Sequence, residues 1–312
     1  NTYFLPYFKK IHIDDITDVD ICRYQDWRKS YYDKGPGKTK TTITYERVHA
    51  LTGKLERVRR PHVGKPSISS STIRNESAHL RKIFEYARRR GYLERHQIPV
   101  IEDPPLKSNR RPDFDITAYR TLIRKSVWWY KNAPTKRVQF DRQLMHDWIL
   151  IMANTGMRIG EARSLKWKNI VYKPVGDDEY IVLLYVKGKG KKREMVAMPR
   201  TKIYLERLRA RTQFNDDDDY VFTGRFGRPI RSFVSGFNAL LKHTDLAYDQ
   251  FGNKRTPYSL RHTYATFALI YGRVNVYTLA VNMGTSVEMI EKHYGHVKPL
   301  QAYKELTTRY KM

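Results

Sequence analysis

Apolar residues recur at intervals of three and four along most of this 312-residue chain, which is the spacing of one face of an α-helix. The clearest run covers 72–90, where the stripe that predicts a buried helix face is formed by Ile73, Leu80, Ile83, Phe84 and Ala87. Gly91 follows and is predicted to end this helix. A second helix is predicted from a Thr17/Asp18 cap to about Tyr32. We therefore expect the first hundred residues to be mostly helical.

Between these two helices the pattern changes to short alternating runs. Residues 41–48 and 55–58 flank Thr52 and Gly53 and predict a basic β-hairpin within an insertion near 33–69. The segment 102–112 (EDPPLKSNRRP) has the proline and polar content of an interdomain linker. The domain boundary is therefore placed there, with one domain over 1–107 and the other over 108–312.

The second domain combines helices with a few strands. Helices are predicted over 115–129, over a segment that contains Leu144, Trp148, Ile151 and Met152 and ends at Gly156, and from Ile159 onward. Three strands are predicted at 169–172, 180–187 and 193–198, and mainly helices follow from Thr201. The predicted fold class is mainly α with a small antiparallel β-sheet in the C-terminal domain (α+β).

Charge narrows the choice of partner. The 59 Lys and Arg exceed the 32 Asp and Glu by 27, more than internal pairing can cancel, and DNA or RNA would bind such a surface by releasing counterions. A membrane-binding face is the weaker alternative, since no amphipathic anchor helix is evident. The chain shows no apolar run of bilayer length and no signal-peptide pattern, and we interpret Cys22 as a small buried hydrophobe. These features predict a soluble intracellular protein.

The polar side of the 72–90 helix is almost entirely basic. We interpret this ridge as a surface for a phosphate backbone, with a merely solvated face as the alternative. Its members are Arg74, Arg81, Lys82, Arg88, Arg89 and Arg90.

Phosphodiester cleavage needs cations on the non-bridging oxygens, a nucleophile in line and an acid for the leaving oxygen. Arg158 follows a glycine-closed helix, and Glu161, one turn later, could orient its guanidinium. Arg261 stands in a largely apolar and aromatic segment, so it needs a partner, which could be Glu161, a backbone carbonyl or a bound phosphate. Lys189, in a Gly-Lys-Gly-Lys turn, could reach into a groove or simply keep the turn soluble.

Tyr294 is the candidate nucleophile, because Gly295 would end its helix and expose the ring, and basic neighbours would lower the cost of deprotonation. A core tyrosine is the alternative. His293 and His296 could instead bind a metal, but a single cysteine and the lack of a paired acidic helix favour a phosphate site. We interpret Asp216 to Asp219 as a solvated loop, and no metal is predicted.

Several segments together resemble the tyrosine recombinase, or phage integrase, family. They are TGMRIGEARSL at 155–165, KGKGKKREMVAMP at 187–199, SLRHTYAT at 259–266 and residues 283–295, in the family's order, while 71–92 resembles a helix of its core-binding domain. The resemblance therefore covers nearly the whole chain. It implies a helical, SAM-like core-binding domain and a catalytic domain that close on DNA as a C-shaped clamp.

The resemblance also implies roles for individual residues. Arg158 and Arg261 would clamp the scissile phosphate, Glu161 would support the site, Lys189 would protonate the leaving 5′-oxygen, and Tyr294 would form a 3′-phosphotyrosyl link. His262 and His293 would be supporting residues, and Lys187 and Lys191 would join the DNA-binding set. No cofactor is implied, because the phosphotyrosine bond stores the energy for rejoining.

Two positions depart from the family pattern. Tyr258 replaces the usual histidine three residues before the second arginine, and Thr285 replaces a histidine or tryptophan. Both can donate a hydrogen bond to a phosphate oxygen, but neither is a good base at neutral pH. The alternatives are therefore an active recombinase, a DNA-binding accessory protein that has lost the activity, or a topoisomerase-like strand transferase.

The implied partner is double-stranded DNA, bound by four protomers on two sites, with a monomer or dimer when free and accessory DNA-bending proteins as further partners. Residues 300–311 predict a helix that packs on a neighbouring protomer or on its own domain. The chain begins almost directly with the core-binding pattern, which indicates a shortened chain or a recombinase without an arm-binding domain. A bacterial or phage-encoded cytoplasmic protein associated with the nucleoid is expected.

Overall fold

The computed structural model describes residues 2–39, 41–48, 55–61, 68–106, 112–176, 179–188 and 191–294. Within these residues the helices are α1 Phe4–Phe8, α2 Asp18–Ser30, α3 Ser70–Arg89, α4 Ile116–Lys131, α5 Lys136–Thr155, α6 Ile159–Ser164, α7 Thr201–Arg211, α8 Val234–Thr244, α9 Ser259–Ile270, α10 Val276–Met283 and α11 Val287–Tyr294. The strands are β1 Thr42–Val48, β2 Leu55–Pro61, β3 Ile170–Pro174, β4 Tyr180–Gly188 and β5 Lys191–Ala197. The predicted fold class, mainly α with small antiparallel sheets, is confirmed.

The chain divides into two compact units, Asn1–Asn109 and Arg110–Met312. Assigning a core-binding role to the first unit and a catalytic role to the second stays a prediction. Among the described residues, no helix combines the length and the apolar character that crossing a bilayer requires.

In the first unit, α2 and α3 share a core and a buried polar contact. Thr17 caps α2 by accepting a hydrogen bond from the Asp20 backbone, while the Asp20 carboxylate accepts one from the Thr17 backbone. Between the helices, the Glu76 carboxylate accepts a hydrogen bond from the Tyr24 hydroxyl at 2.7 Å and pairs with Arg28 at 2.9 Å. Because these partners are largely buried, the contact fixes how α2 and α3 pack.

Two details of the predicted first unit are wrong. Ile83 is 42% exposed, and the buried face of α3 consists of Ile73, Ser77, Leu80, Phe84 and Ala87. Ile83 follows Leu80 by three residues, which is why the pattern predicted it to be buried. It lies about 80° around the helix from the centre of the buried face, so its side chain stays exposed. Cys22 is exposed on α2 instead of acting as a small buried hydrophobe.

The insertion between α2 and α3 forms a two-stranded antiparallel ribbon, β1–β2. Its register runs from Thr42 opposite Pro61 to Val48 opposite Leu55, so the second strand is three residues longer than predicted. The turn residues 49–54 lie outside the described residues. On the face that carries Arg57 and Arg59, the described side chains are mostly exposed.

In the second unit, α5 is the central helix and packs against α4, α7, α8 and α9. Its apolar spacing buries Leu144, Trp148, Ile151 and Met152, as the sequence predicts. The sheet β3–β4–β5 is antiparallel, and alternate residues of β4 point into the same core. A smaller apolar cluster joins α9, α10 and α11 through Tyr264, Met283 and Ile290, which anchors the helix that ends at Tyr294.

Candidate functional site

The turn between α5 and α6 positions Arg158. Gly156 ends α5 in the left-handed conformation with φ of +62°, and a Cβ there would overlap the Tyr264 ring, so the position requires glycine. Arg158 is the N-cap residue of α6, and 30% of its side chain is exposed. The glycine-closed helix that the sequence predicts is confirmed.

Glu161 is a buried carboxylate shared by two arginines. Its side chain is 1% exposed and accepts hydrogen bonds from Arg158 Nη1 at 2.9 Å and from the Arg158 backbone at 2.8 Å. Arg193 of β5 donates to the same carboxylate from Nη2 at 2.8 Å and from Nε at 3.3 Å. Burial acts to raise the pKa of Glu161, but these hydrogen bonds outweigh it and hold the pKa below its ordinary value. The carboxylate is therefore ionised at neutral pH.

Arg261 is buried in α9 and binds backbone carbonyls. Its Nη1 donates to the Gly156 oxygen at 2.5 Å and its Nη2 to the Met283 oxygen at 2.8 Å. The sequence leaves Glu161, a backbone carbonyl or a bound phosphate as the partner of Arg261. The two hydrogen bonds given above are both to backbone carbonyls. Glu161 instead forms ion pairs with Arg158 and Arg193.

Arg158 and Arg261 meet at the end of α10. Arg158 Nη2 donates to the carbonyl of Gly284, the residue next to the Met283 carbonyl that Arg261 binds. Gly284 has a φ of +63°, and a Cβ at this position would lie 2.7 Å from Arg193 Nε. Three guanidinium groups therefore bind the three consecutive carbonyls of residues 282–284 beside one carboxylate, and this gives the site a net positive charge.

The two residues that depart from the expected pattern adjoin this cluster along the chain. Tyr258 precedes α9, and its ring lies edge-on to His262 with centroids 5.1 Å apart. His262 is buried beside Arg261 in sequence. Thr285 is half-buried directly after Gly284, and its backbone N–H is bound by the Ala280 carbonyl at 2.9 Å.

The remaining predicted catalytic side chains fall outside the described residues. Lys189 lies between β4 and β5 in the part that is not described, and the side chains of Tyr294, His293 and Lys191 are likewise not described, although their backbones end α11 and begin β5. The predicted helix at 300–311 also lies outside the described residues.

The strand pair β4–β5 carries two facing lysines, of which the sequence analysis predicted Lys187 and missed Lys192. Lys187 is exposed and stands directly opposite Lys192, which is also exposed. Like charges that face each other across two strands destabilise the pair, so an anion bound between these lysines would reduce their repulsion. Both lysines, with Arg193, line a cleft of 610 Å³. Lys192 was visible within the KGKGKK run, but only the register shows that it faces Lys187.

The basic ridge of α3 is largely engaged in ion pairs. Arg74 and Arg81 pair with Asp103 at 3.4 and 2.9 Å, while Arg88 and Arg89 share Glu85 at 2.8 and 2.9 Å. The remaining members, Lys82 and Arg90, are exposed. The structure therefore pairs four ridge arginines with carboxylates that the sequence interpretation did not consider. Exposed pairs of this kind contribute about 0–1 kcal/mol each, so a phosphate could displace them at little cost.

Sequence reasoning missed Arg193 and Asn282. The Asn282 side chain accepts from the Val196 N–H at 2.8 Å and donates to the Val196 carbonyl at 3.0 Å, and its own carbonyl accepts from Arg193 Nη1. Arg193 lies in the motif segment 187–199, but nothing in a local pattern indicates which carboxylate it reaches. In the loop interpreted as solvated, Asp217 pairs with Arg209.

Comparison with known proteins agrees with this architecture. The model of the phage integrase family matches residues 130–301. Tyrosine recombinase XerC of Chlamydia trachomatis serovar L2 is 31% identical over 144 residues, which span 43% of this chain and only 41% of that relative. Tyrosine recombinase XerD of Pasteurella multocida is 27% identical over 250 residues, covering 78% of this chain and 76% of the relative.

Among solved structures, the XerH site-specific recombinase bound to its difH substrate in a pre-cleavage complex is similar, with a TM-score of 0.62 and 18% identity over 98% of this chain and 77% of that one. At this identity the likeness establishes the fold alone. The fold is that of a tyrosine recombinase. The chain belongs to the phage integrase family.

Proposed function

We propose that this chain is a site-specific recombinase that cleaves and rejoins double-stranded DNA through a 3′-phosphotyrosyl link to Tyr294. The observation that carries the proposal is the convergence of the Arg158 and Arg261 guanidinium groups on the adjacent carbonyls of Gly284 and Met283. A phosphoryl transfer needs such a fixed cationic site for the charge of its non-bridging oxygens.

In the proposed reaction the Tyr294 oxygen forms a bond to phosphorus while the bond from phosphorus to the 5′-oxygen breaks. The phenol proton passes to solvent, and Lys189 delivers a proton to the leaving oxygen. Arg158 and Arg261 hold the phosphate, and Tyr258 and Thr285 donate hydrogen bonds to it. Rejoining reverses these steps with another 5′-hydroxyl.

DNA recognition is proposed to use both units. The α3 ridge and the lysines of β4–β5 supply cations for the phosphate backbone, and recombination is completed by four protomers on two sites. The match to a solved recombinase–DNA complex supports this choice of partner, because the XerH structure contains its difH substrate. The net charge of +27 is consistent with it.

The test uses a nicked DNA site from which the short 5′-hydroxyl fragment diffuses away, so that a covalent adduct accumulates. The wild-type chain should form an adduct that resists denaturation, and mass spectrometry should locate the DNA on Tyr294. Tyr294→Phe should bind the same DNA without forming the adduct. An adduct with the phenylalanine variant contradicts the assignment.

The same experiment separates the alternatives. Sequence-specific binding without an adduct, on nicked sites and in assembled complexes, would indicate an accessory DNA-binding protein. Relaxation of supercoiled plasmid that lacks any special site would indicate a topoisomerase-like transferase.

A further inference from the structure

Glu161 carries one negative charge, and two guanidinium groups share it. Arg193 grips the carboxylate with two side-chain nitrogens, Nη2 at 2.8 Å and Nε at 3.3 Å, whereas Arg158 donates a single side-chain hydrogen bond to it at 2.9 Å. A two-point arginine–carboxylate contact is the stronger of the two arrangements. Arg193 is therefore the main side-chain partner of Glu161.

Toward the part of the chain that the structure describes, this division leaves Arg158 with further N–H donors for a ligand. A guanidinium has five N–H donors, and the bonds to Glu161 and to the Gly284 carbonyl account for two of the N–H groups of Arg158. The Arg158 side chain is 30% exposed and that of Arg193 is 17% exposed. Arg158 is thus the more accessible of the two for a ligand, and Arg193 the more enclosed.

Arg193 is itself held in place by the end of α10. Its Nη1 donates to the Asn282 carbonyl, and the Asn282 side chain is bound to β5, the strand that carries Arg193, through both polar atoms of the Val196 backbone. Asn282 Nδ2 also donates to the Tyr264 hydroxyl at 3.0 Å. These contacts hold Arg193 at Asn282, the residue directly before the Met283–Gly284 segment that Arg158 and Arg261 bind.

We propose that Arg193 is a positioning residue for the strand-transfer reaction. By pairing with Glu161, it prevents that carboxylate from closing on Arg158 and leaves the Arg158 guanidinium open toward the phosphate. The inference rests on the function proposed above. Without Arg193, the buried carboxylate would draw Arg158 into a two-point pair, and the phosphate would lose one of its two clamping charges.

The decisive comparison is a pair of variants, Arg193→Gln and the double variant Arg193→Gln/Glu161→Gln. The single variant should lower the single-turnover rate of adduct formation on the nicked site on the order of 100-fold, the effect of losing one preorganised charge contact. The double variant removes the unpaired carboxylate as well, so it should regain at least about tenfold of that rate. Because it leaves no buried charge unpaired, it also guards against a folding defect, which circular dichroism would check.

A substrate with a neutral phosphate separates positioning from a general structural role. When a methylphosphonate replaces the scissile phosphate, one negative charge is removed, and the Arg193→Gln penalty should shrink to roughly threefold or less, because the charge of Arg158 then matters less. Arg200→Gln, an exposed arginine just past β5, is the matched control and should keep the wild-type rate on both substrates.

Several outcomes overturn the inference. An unchanged rate for Arg193→Gln would show that Glu161 does not compete for Arg158. A double variant slower than the single one would mean that Arg193 or Glu161 contributes directly. Equal losses on phosphate and methylphosphonate would indicate a structural role. No adduct from the wild-type chain would overturn the proposed function and this inference together, whereas an active wild-type chain with an unaffected Arg193→Gln variant would overturn the inference alone.

Discussion

Gly284 offers a stringent test of the site geometry, because two separate costs meet there. Its φ of +63° is a left-handed conformation, which costs a residue with a side chain about 1–2 kcal/mol. In Gly284→Ala, the new Cβ would also lie 2.7 Å from Arg193 Nε and 2.8 Å from its Cδ, so Arg193 would have to move. Moving it weakens charged hydrogen bonds to Glu161, each worth about 1.5–3 kcal/mol.

Gly252 provides the matched control, since its φ is +77° and a Cβ there would meet nothing within 4 Å. Gly252→Ala should therefore carry the backbone cost alone, about 1 kcal/mol, and Gly284→Ala about 3 kcal/mol. The measurement is urea unfolding followed by tryptophan fluorescence, with the midpoint compared at constant slope. Four of the five tryptophans lie in the second unit, so the signal reports mainly on the unit that contains both glycines.

A double variant identifies the source of the difference. In an Arg193→Ala background, the extra cost of Gly284→Ala over Gly252→Ala should largely disappear, because the obstructing side chain is gone. Strand transfer should fall more than about tenfold in Gly284→Ala, whose carbonyl Arg158 binds, and stay near wild type in Gly252→Ala. Equal losses of stability for the two alanine variants would show that Arg193 adds no cost at position 284.

Three further predictions concern the rest of the molecule. Burial lowers the pKa of His146 from 6.5 to about 4, so the unfolded chain binds a proton at a higher pH than the folded one. The contribution of neutral His146 to the free energy of unfolding should be fully present above about pH 6.5, and about 3 kcal/mol of it should be lost as the pH drops to 4. His146→Gln should abolish this pH dependence in urea titrations. Asp147 is fully buried and pairs with two arginines of α7, so Asp147→Asn should lose about 3–5 kcal/mol, whereas exposed Asp141→Asn should change the unfolding midpoint little. A similar loss in both would count against the pairing. A two-stranded ribbon fits the major groove, so Arg57→Gln/Arg59→Gln should reduce the slope of log affinity against log salt by about two, and an unchanged slope would show that these two arginines make no phosphate contacts.

The pattern of residues along the chain was enough to locate the local elements and to indicate the class of the protein. Helical spacing located α3 and α5, and Gly156 marked the turn that presents Arg158, because periodicity and left-handed glycines act over a few residues. The motif segments indicated the recombinase family, which the family match confirms. The roles of the individual catalytic residues stay predictions.

Which groups pair with the buried charges became known from the packing of remote segments. Arg261 binds the Gly156 carbonyl 105 positions away, and Arg158 binds that of Gly284 across 126 positions. Arg193 reaches Glu161 because β5 packs against α10 and pairs with β4, the strand that packs against α6, and no spacing within 187–199 indicates this arrangement. A pattern along the chain specifies which face of an element is buried. The partner of a buried charge depends on how remote segments pack, and that is settled when the whole core forms.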